Sequence, residues 1–160
     1  NHAGKLRIMA QGFAPRPRRL YQFLTMKQFA KSYWPTALVV AVIIYGTLFP
    51  DPAGVDELPP IPHIDKLIHA IMFGGLAGAM GFDYARSHGL RRPSRRAMAV
   101  FAVISTLAGG FIELLQDAMQ LGRGADWYDL LADAVGAFVA FLIAPAAIAL
   151  CLKGRPRKDR

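Results

Sequence analysis

The sequence predicts an all-α membrane protein, a polytopic bundle of four transmembrane helices with both termini in the cytoplasm. The composition is the first indication, because 54% hydrophobic residues and a mean hydropathy of +0.29 are unlike an ordinary soluble domain. The second is the presence of four apolar stretches that approach the roughly 20 residues a helix needs to cross a bilayer. The third is the separation of basic from acidic residues between the ends of these stretches.

Each apolar stretch is taken as one helix, since a segment inside lipid must satisfy its own backbone polar groups. The predicted spans are residues 33–49, 64–82, 97–116 and 128–152. The first is short, and Tyr33 and Trp34 suit the headgroup region at its start. The fourth is long enough to cross with some tilt, despite Pro145.

The basic residues orient the bundle. All but two of the 19 Lys and Arg residues lie in the N-terminal tail, the connection between the second and third spans, or the C-terminus. The exceptions are Lys66 and Arg123. The positive-inside rule therefore predicts a multi-pass membrane protein with both termini on the cytoplasmic side. The net charge of +8 comes from tails and one loop, so no nucleic-acid partner is expected.

Three regions follow from this pattern. Residues 1–32 form a basic cytoplasmic tail, which is either a short interfacial helix on an anionic leaflet or an unstructured lead-in. Residues 33–152 form the membrane domain, and residues 153–160 form a basic cytoplasmic tail.

Polar residues inside the spans indicate the functional site, because ionisable groups there are costly and face the bundle interior. Asp65 and His69 share a face at the start of the second span, and Glu113 lies near the end of the third. Asp129 and Asp133 share a face at the start of the fourth. All three sets belong to the same side of the membrane, so we expect them to meet near the outer leaflet.

Gly74 and Gly78 form a G-x-x-x-G pattern on the face of the second helix opposite Asp65 and His69. Either this helix is central and packs on both sides, or its glycine face forms a homodimer. A single G-x-x-x-G favours the central position.

Three ordered motifs resemble the VanZ-like family. They are D-K-x-x-H-x-x-x-F from Asp65, G-x-x-E-x-x-Q ending at Gln116, and R-x-x-x-x-x-D-x-x-x-[N/D]-x-x-G from Arg123 to Gly136. The resemblance implies a cell-envelope protein of a bacterial inner (cytoplasmic) membrane, and the family's best-known member is associated with low-level resistance to the glycopeptide teicoplanin. It names no reaction. Asp133 stands where that resistance protein's pattern more often has Asn, which adds a carboxylate.

The candidate ligand-binding residues combine acids with a few cations and polar groups. They are Asp65, Lys66, His69, Glu113, Gln116, Arg123, Asp129 and Asp133. In one interpretation Arg123 and Lys66 bind a lipid phosphate. In a second, the carboxylates and His69 bind a divalent cation that activates water. In a third, ion pairs and helix caps at Asp65 and Asp129 lock the helix ends, with Gln116 bonded to Glu113.

Two main functions follow. As a binding protein, the chain would hold an envelope lipid headgroup or a lipid-bearing glycopeptide antibiotic, with membrane lipids as its other partners, and would contribute to teicoplanin resistance. As an enzyme, it would hydrolyse or transfer a group on an envelope lipid, with His69 or Glu113 as general base. A third hypothesis is an interaction subunit of an envelope-biosynthesis complex.

Overall fold

The computed structural model describes residues 18–49, 62–119 and 126–153, and these form four helices and no strand. The helices are α1 (Arg18–Leu48), α2 (Ile64–Ser87), α3 (Arg95–Met119) and α4 (Trp127–Leu152). The predicted all-α class is confirmed. The chain divides into two compact units, Asn1–Ser32 and Tyr33–Arg160. The first contains the beginning of α1, and everything below concerns the second.

Helices α2, α3 and α4 are long and apolar enough to cross a membrane, and they coincide with the second, third and fourth predicted spans. They extend beyond the predicted ends, and α2 continues to Ser87. Helix α1 is not among the spanning helices found in the described part of the chain. Its first half is basic, and its apolar part begins only after Pro35. The first span and the side on which each terminus lies stay predictions.

Many large apolar residues are exposed on the outside of the helices, as expected of a chain that faces lipid. Leu107 is 68% exposed and Leu114 is 66% exposed on α3. The buried residues between the helices include Ala77, Ala137 and Ala140. Small residues between helices allow backbones to approach closely, which is the main source of packing energy where lipid and side chains are equally apolar.

Helices α2 and α4 approach most closely at Gly136. A Cβ atom at this position would overlap the backbone carbonyl of Ala70. A Cβ atom on Gly74 would lie 2.8 Å from the Gly136 oxygen. Helix α2 contacts both α3 and α4, in agreement with the expectation that it packs on two sides. Gly74 therefore faces α4 of the same chain, whereas a Cβ atom at Gly78 would meet open space. The homodimer through this face stays a prediction.

Helix α1 is attached to the other helices by two polar contacts at different depths. At one end, the backbone N–H and the hydroxyl of Thr36 donate to Oδ2 of Asp83 on α2, at 3.0 and 2.7 Å. Asp83 is fully buried. At the other end, Gln116 Nε2 on α3 donates to the Thr47 carbonyl at 2.7 Å. Ile43 packs between these contacts, against Phe73 and other apolar residues.

Candidate functional site

The predicted polar residues of the three spans meet at one end of the bundle. His69 lies on the second turn of α2, Glu113 near the end of α3, and Asp133 on the second turn of α4. Because α3 runs in the opposite direction to α2 and α4, the end of α3 lies beside the beginnings of the other two. The antiparallel order of the spans thus brings distant residues into one layer.

His69 is the centre of the buried part of the site. Its Nδ1 atom lies 3.0 Å from Asp133 Oδ1 and 3.9 Å from Glu113 Oε1. Asp133 is fully buried and Glu113 is 5% exposed. Gly109 on α3 makes room for Asp133, since a Cβ atom there would overlap the carboxylate. The structure therefore confirms that these three side chains lie together.

Lys66 is the centre of the outer part of the site. Its Nζ atom lies 2.8 Å from Asp65, 2.6 Å from Asp126 and 2.8 Å from Asp129. Three carboxylates therefore share one ammonium group. The hydrogen bond from Lys66, together with the one from the Tyr128 backbone N–H, holds the pKa of Asp126 below its usual value.

Asp126 joins the two parts of the site and was not among the predicted site residues. Its backbone N–H donates to Glu113 Oε2 at 3.0 Å. Its side chain caps α4 by accepting from the Tyr128 N–H at 2.8 Å. The sequence does contain a signal for this role, an Asp directly before an apolar helical run.

The capping roles expected for Asp65 and Asp129 are wrong. The cap position of α4 is Asp126, and Asp129 lies within the first turn. The cap position of α2 is His63, which has a φ of 61° and makes no side-chain capping bond. Asp65 lies one position inside the helix and pairs with Lys66 instead.

The two remaining predicted residues are Gln116 and Arg123. Gln116 is buried, but it bonds to the Thr47 carbonyl of α1, which contradicts its expected bond to Glu113. It supports the packing of α1 on α3. Arg123 lies outside the described residues, so its predicted contact with a ligand stays a prediction.

Three buried carboxylate oxygens in this layer accept no hydrogen bond. They are Glu113 Oε1, Asp129 Oδ1 and Asp133 Oδ2. Lys66 Nζ lies 2.8 Å from Asp129 Oδ1, so this oxygen has an ionic partner. Buried polar atoms in proteins nearly always have a partner, so the other two oxygens, on neighbouring residues, indicate a place for water, a proton or a cation.

The balance of charge favours a positively charged occupant. Among the residues that the structure describes, five carboxylates lie near one lysine and one histidine, and these carboxylates belong to Asp65, Glu113, Asp126, Asp129 and Asp133. Lys66 already contacts three of them. Within the described part of the chain, His69, Glu113 and Asp129 also present ligand atoms that lie within 4.8 Å of one another.

Two apolar grooves reach the site from the outside of the bundle. The groove between α3 and α4 has a volume of about 740 Å³. Its lining includes Leu107, Phe111, Leu130 and Ala134, with Glu113 and Asp126 as its acidic members. The groove between α2 and α4 has a volume of about 660 Å³ and includes Asp65, Lys66 and Asp126 in its lining.

Comparison with known proteins agrees with the resemblance seen in the motifs. The family described as VanZ/LLP1 matches residues 8–150, which is most of the chain. No match was found among curated proteins or among solved structures. The spanning helices and this match together identify a membrane protein, and the chain belongs to the VanZ/LLP1 family.

Proposed function

We propose that this VanZ/LLP1 family protein binds an envelope lipid, with the lipid chain in the groove between α3 and α4 and the headgroup at the acidic layer. The observation that carries the proposal is the composition of this groove. Apolar side chains such as Leu107, Phe111 and Leu130 line it, and Glu113 and Asp126 lie in the same lining. An amphipathic ligand needs both surfaces at one site.

The groove suits a hydrocarbon chain because it opens on the outside of helices that cross a membrane. Leu107, Phe111 and Leu114 are exposed large apolar residues on this face of α3. A chain lying there would contact them without first displacing water. The groove therefore favours lipids, or antibiotics that bear a lipid chain, over ligands without one.

The acidic layer supports recognition of the headgroup through a cationic group. Lys66 already pairs with three carboxylates, so it has little charge left to offer a phosphate. Glu113 Oε1 has no hydrogen-bond donor, and Glu113 is one of the residues that line the groove. An ammonium group on an amine-bearing lipid or lipoglycopeptide would supply charge-assisted donors to this oxygen. Arg123 would contribute to phosphate binding only if the loop before Asp126 folds over the ligand.

Lipid retention by the purified full-length protein tests this proposal. Native mass spectrometry in mild detergent would compare amine-bearing and amine-free phospholipids, with EDTA present throughout. We expect Ala134→Phe to fill the groove and reduce the retained lipid at least about tenfold, equivalent to about 1.4 kcal/mol. Leu142→Phe, on the exposed face of α4 and away from the groove lining, is the matched control. Equal retention by both variants would contradict the proposal.

A second candidate function, hydrolysis or group transfer on an envelope lipid, is favoured by the pairing of His69 with Asp133. A carboxylate 3.0 Å from one ring nitrogen can orient the imidazole as a general base. Glu113 Oε1, 3.9 Å from the same nitrogen, is an alternative base. Incubation with a panel of envelope lipids would show release of phosphate or an acyl group, and His69→Ala and Glu113→Gln would each abolish it. No release from any lipid would exclude this function for the panel.

The proposal places the acidic layer on the extracytoplasmic side of a bacterial inner membrane. If α1 is a fourth span, both termini lie on the same side, whereas three spans would leave them on opposite sides. Cys151 is exposed near the end of α4, far from the site. A membrane-impermeant thiol reagent on intact cells should leave Cys151 unlabelled and should label Met119→Cys in a Cys151→Ser background. The reverse pattern would invert the orientation.

If the same binding occurs in the cell, the protein contributes to teicoplanin resistance. Expression in a susceptible host should raise the inhibitory concentration of teicoplanin more than that of a glycopeptide without a lipid chain. Glu113→Gln should remove the difference. An equal response to both antibiotics would argue against recognition through the lipid chain.

A further inference from the structure

We infer that His69, Glu113 and Asp129 form a binding site for a divalent transition-metal cation, with Zn²⁺ or Mn²⁺ as its class of ligand. The site is built from the three spanning helices, one ligand from each. This inference goes beyond lipid binding and does not require it, and a bound ion would take the place of the lipid's ammonium group at Glu113 Oε1.

The positions of the possible ligand atoms are the first observation that supports a metal site. One nitrogen or oxygen from each of these residues lies within 4.8 Å of the other two. Metal–ligand bonds of about 2.0–2.2 Å place ligand atoms roughly 3.3 Å apart around a tetrahedral ion. The distance of 3.9 Å between His69 Nδ1 and Glu113 Oε1 is close to that value. Small side-chain rotations would bring the three donors into contact with one ion.

The buried carboxylate oxygens of Glu113 and Asp129 are the second observation that supports a metal site. Glu113 is 5% exposed, and its Oε1 atom has no hydrogen-bond partner and lies toward His69. Asp129 Oδ1 is also buried, and it lies 2.8 Å from Lys66 Nζ, which a bound ion would share or displace. A proton would satisfy one carboxylate, whereas a metal ion bonds to both and to the imidazole at once. The arrangement therefore fits a metal ion better than a proton.

Neighbouring residues hold the proposed ligands in place. Asp133 Oδ1 lies 3.0 Å from the same His69 Nδ1 atom, so an ion bound at Nδ1 would replace that contact and leave Asp133 as a further carboxylate beside the ion. The Asp126 backbone N–H donates to Glu113 Oε2 at 3.0 Å and leaves Oε1 free. Partners of this kind orient metal ligands and raise their affinity. Each proposed carboxylate also lies near further negative charge, which favours a cation of charge two over one of charge one.

The donor types select the class of metal. An imidazole nitrogen with carboxylate oxygens suits Zn²⁺ or Mn²⁺, whereas Mg²⁺ and Ca²⁺ prefer oxygen ligands alone. No sulfur ligand lies in this layer, because Cys151 is at the other end of α4. Zn²⁺ should bind more tightly than Mn²⁺ at the same donors.

Metal binding by the full-length protein in detergent tests the inference. The protein would be treated with EDTA and dialysed, and binding of Zn²⁺ and Mn²⁺ would be measured by calorimetry and elemental analysis. We expect one ion per chain, and absorption bands of bound Co²⁺ would report nitrogen and oxygen ligands. Glu113→Gln should weaken Zn²⁺ binding at least about tenfold, since it removes the charge and keeps the shape.

Asp117→Asn is the matched control, because Asp117 is an exposed carboxylate on the same helix, one turn from Glu113. It should leave the affinity unchanged. If Glu113→Gln fails to fold, Asp129→Asn carries the same test at a less buried position. Absence of stoichiometric binding, or equal affinity in the site variants and the control, would overturn the inference. Lipid retention in EDTA is measured separately, so failure of one proposal does not imply failure of the other.

Discussion

Gly136→Ala tests whether the close approach of α2 and α4 holds the site together. A methyl group on Gly136 would overlap the carbonyl group of Ala70 on α2. Because the obstacle is helix backbone, it has no rotamer to change, and the two helices must move apart. Ala70 follows His69 directly, and Gly136 is one turn after Asp133. The shift would therefore also lengthen the 3.0 Å contact between His69 and Asp133.

The magnitude follows from two opposing effects. Overpacking of a tight interface costs about 1–3 kcal/mol. Replacing glycine by alanine inside a helix returns up to about 1 kcal/mol. We expect a net loss of about 1–2 kcal/mol in the free energy of unfolding. Gly78→Ala is the control, because a Cβ atom there meets nothing within 4 Å. It should be neutral or stabilise the protein by up to about 1 kcal/mol.

Equilibrium unfolding in mixed detergent micelles, followed by circular dichroism, would measure both variants beside the unmodified chain. Gly136→Ala should lower the free energy of unfolding, whereas Gly78→Ala should leave it unchanged or raise it, although both variants replace glycine by alanine. If Gly136→Ala were as stable as Gly78→Ala, the close approach of α2 and α4 would not exist in the folded protein, and the geometry around His69 would lose its support.

Three further predictions concern other contacts. Asp83→Ala should lower the free energy of unfolding by about 1–3 kcal/mol, because it leaves the Thr36 N–H without its acceptor, and Thr36→Val should cost less since that N–H keeps its bond. Lys66→Met should reduce the pH dependence of stability below about pH 4, measured as the unfolding midpoint against pH, and leave the part due to the Tyr128 N–H. The pKa of Asp126 is lowered in the folded state, so the stabilisation is complete above its unfolded value and is lost as the pH falls through the folded one. An unchanged pH profile would show that Lys66 is not the cause. Gly109→Ala should destabilise the protein by about 1–3 kcal/mol, because its methyl group would overlap the buried carboxylate of α4, and a neutral result would contradict that contact.

The sequence was sufficient to predict the second, third and fourth spans and the members of the buried site. Long apolar runs have few alternatives, because a backbone inside lipid must form helices. A charged residue in such a run is costly, so Glu113 and Asp133 could be selected without a structure. Their common depth followed from the alternating directions of the helices.

Other residues could not be assigned in this way. Asp83 is an acid inside an apolar run, yet its partner Thr36 lies on another helix and has no fixed separation from it in sequence. Gln116 shares a helix face with Glu113, but its hydrogen bond goes to α1, which depends on how the helices pack. Asp126 stands directly before an apolar helical run, which is the usual pattern of a helix cap. Its second role, the hydrogen bond from its backbone N–H to Glu113, required the loop and α3 to be adjacent.

By itself, the sequence determined that this chain is a helical membrane protein of the VanZ/LLP1 family with acids and a histidine at one end of its spans. Hydrophobic length and charge placement are properties of single segments, so they can be read one segment at a time. Only the tertiary structure decided which oxygens Lys66 neutralises and which stay without a partner. Which oxygens have a partner depends on differences of a few tenths of an ångström in the distances between side chains of different helices. The packing at Gly136 and Gly109 sets those distances.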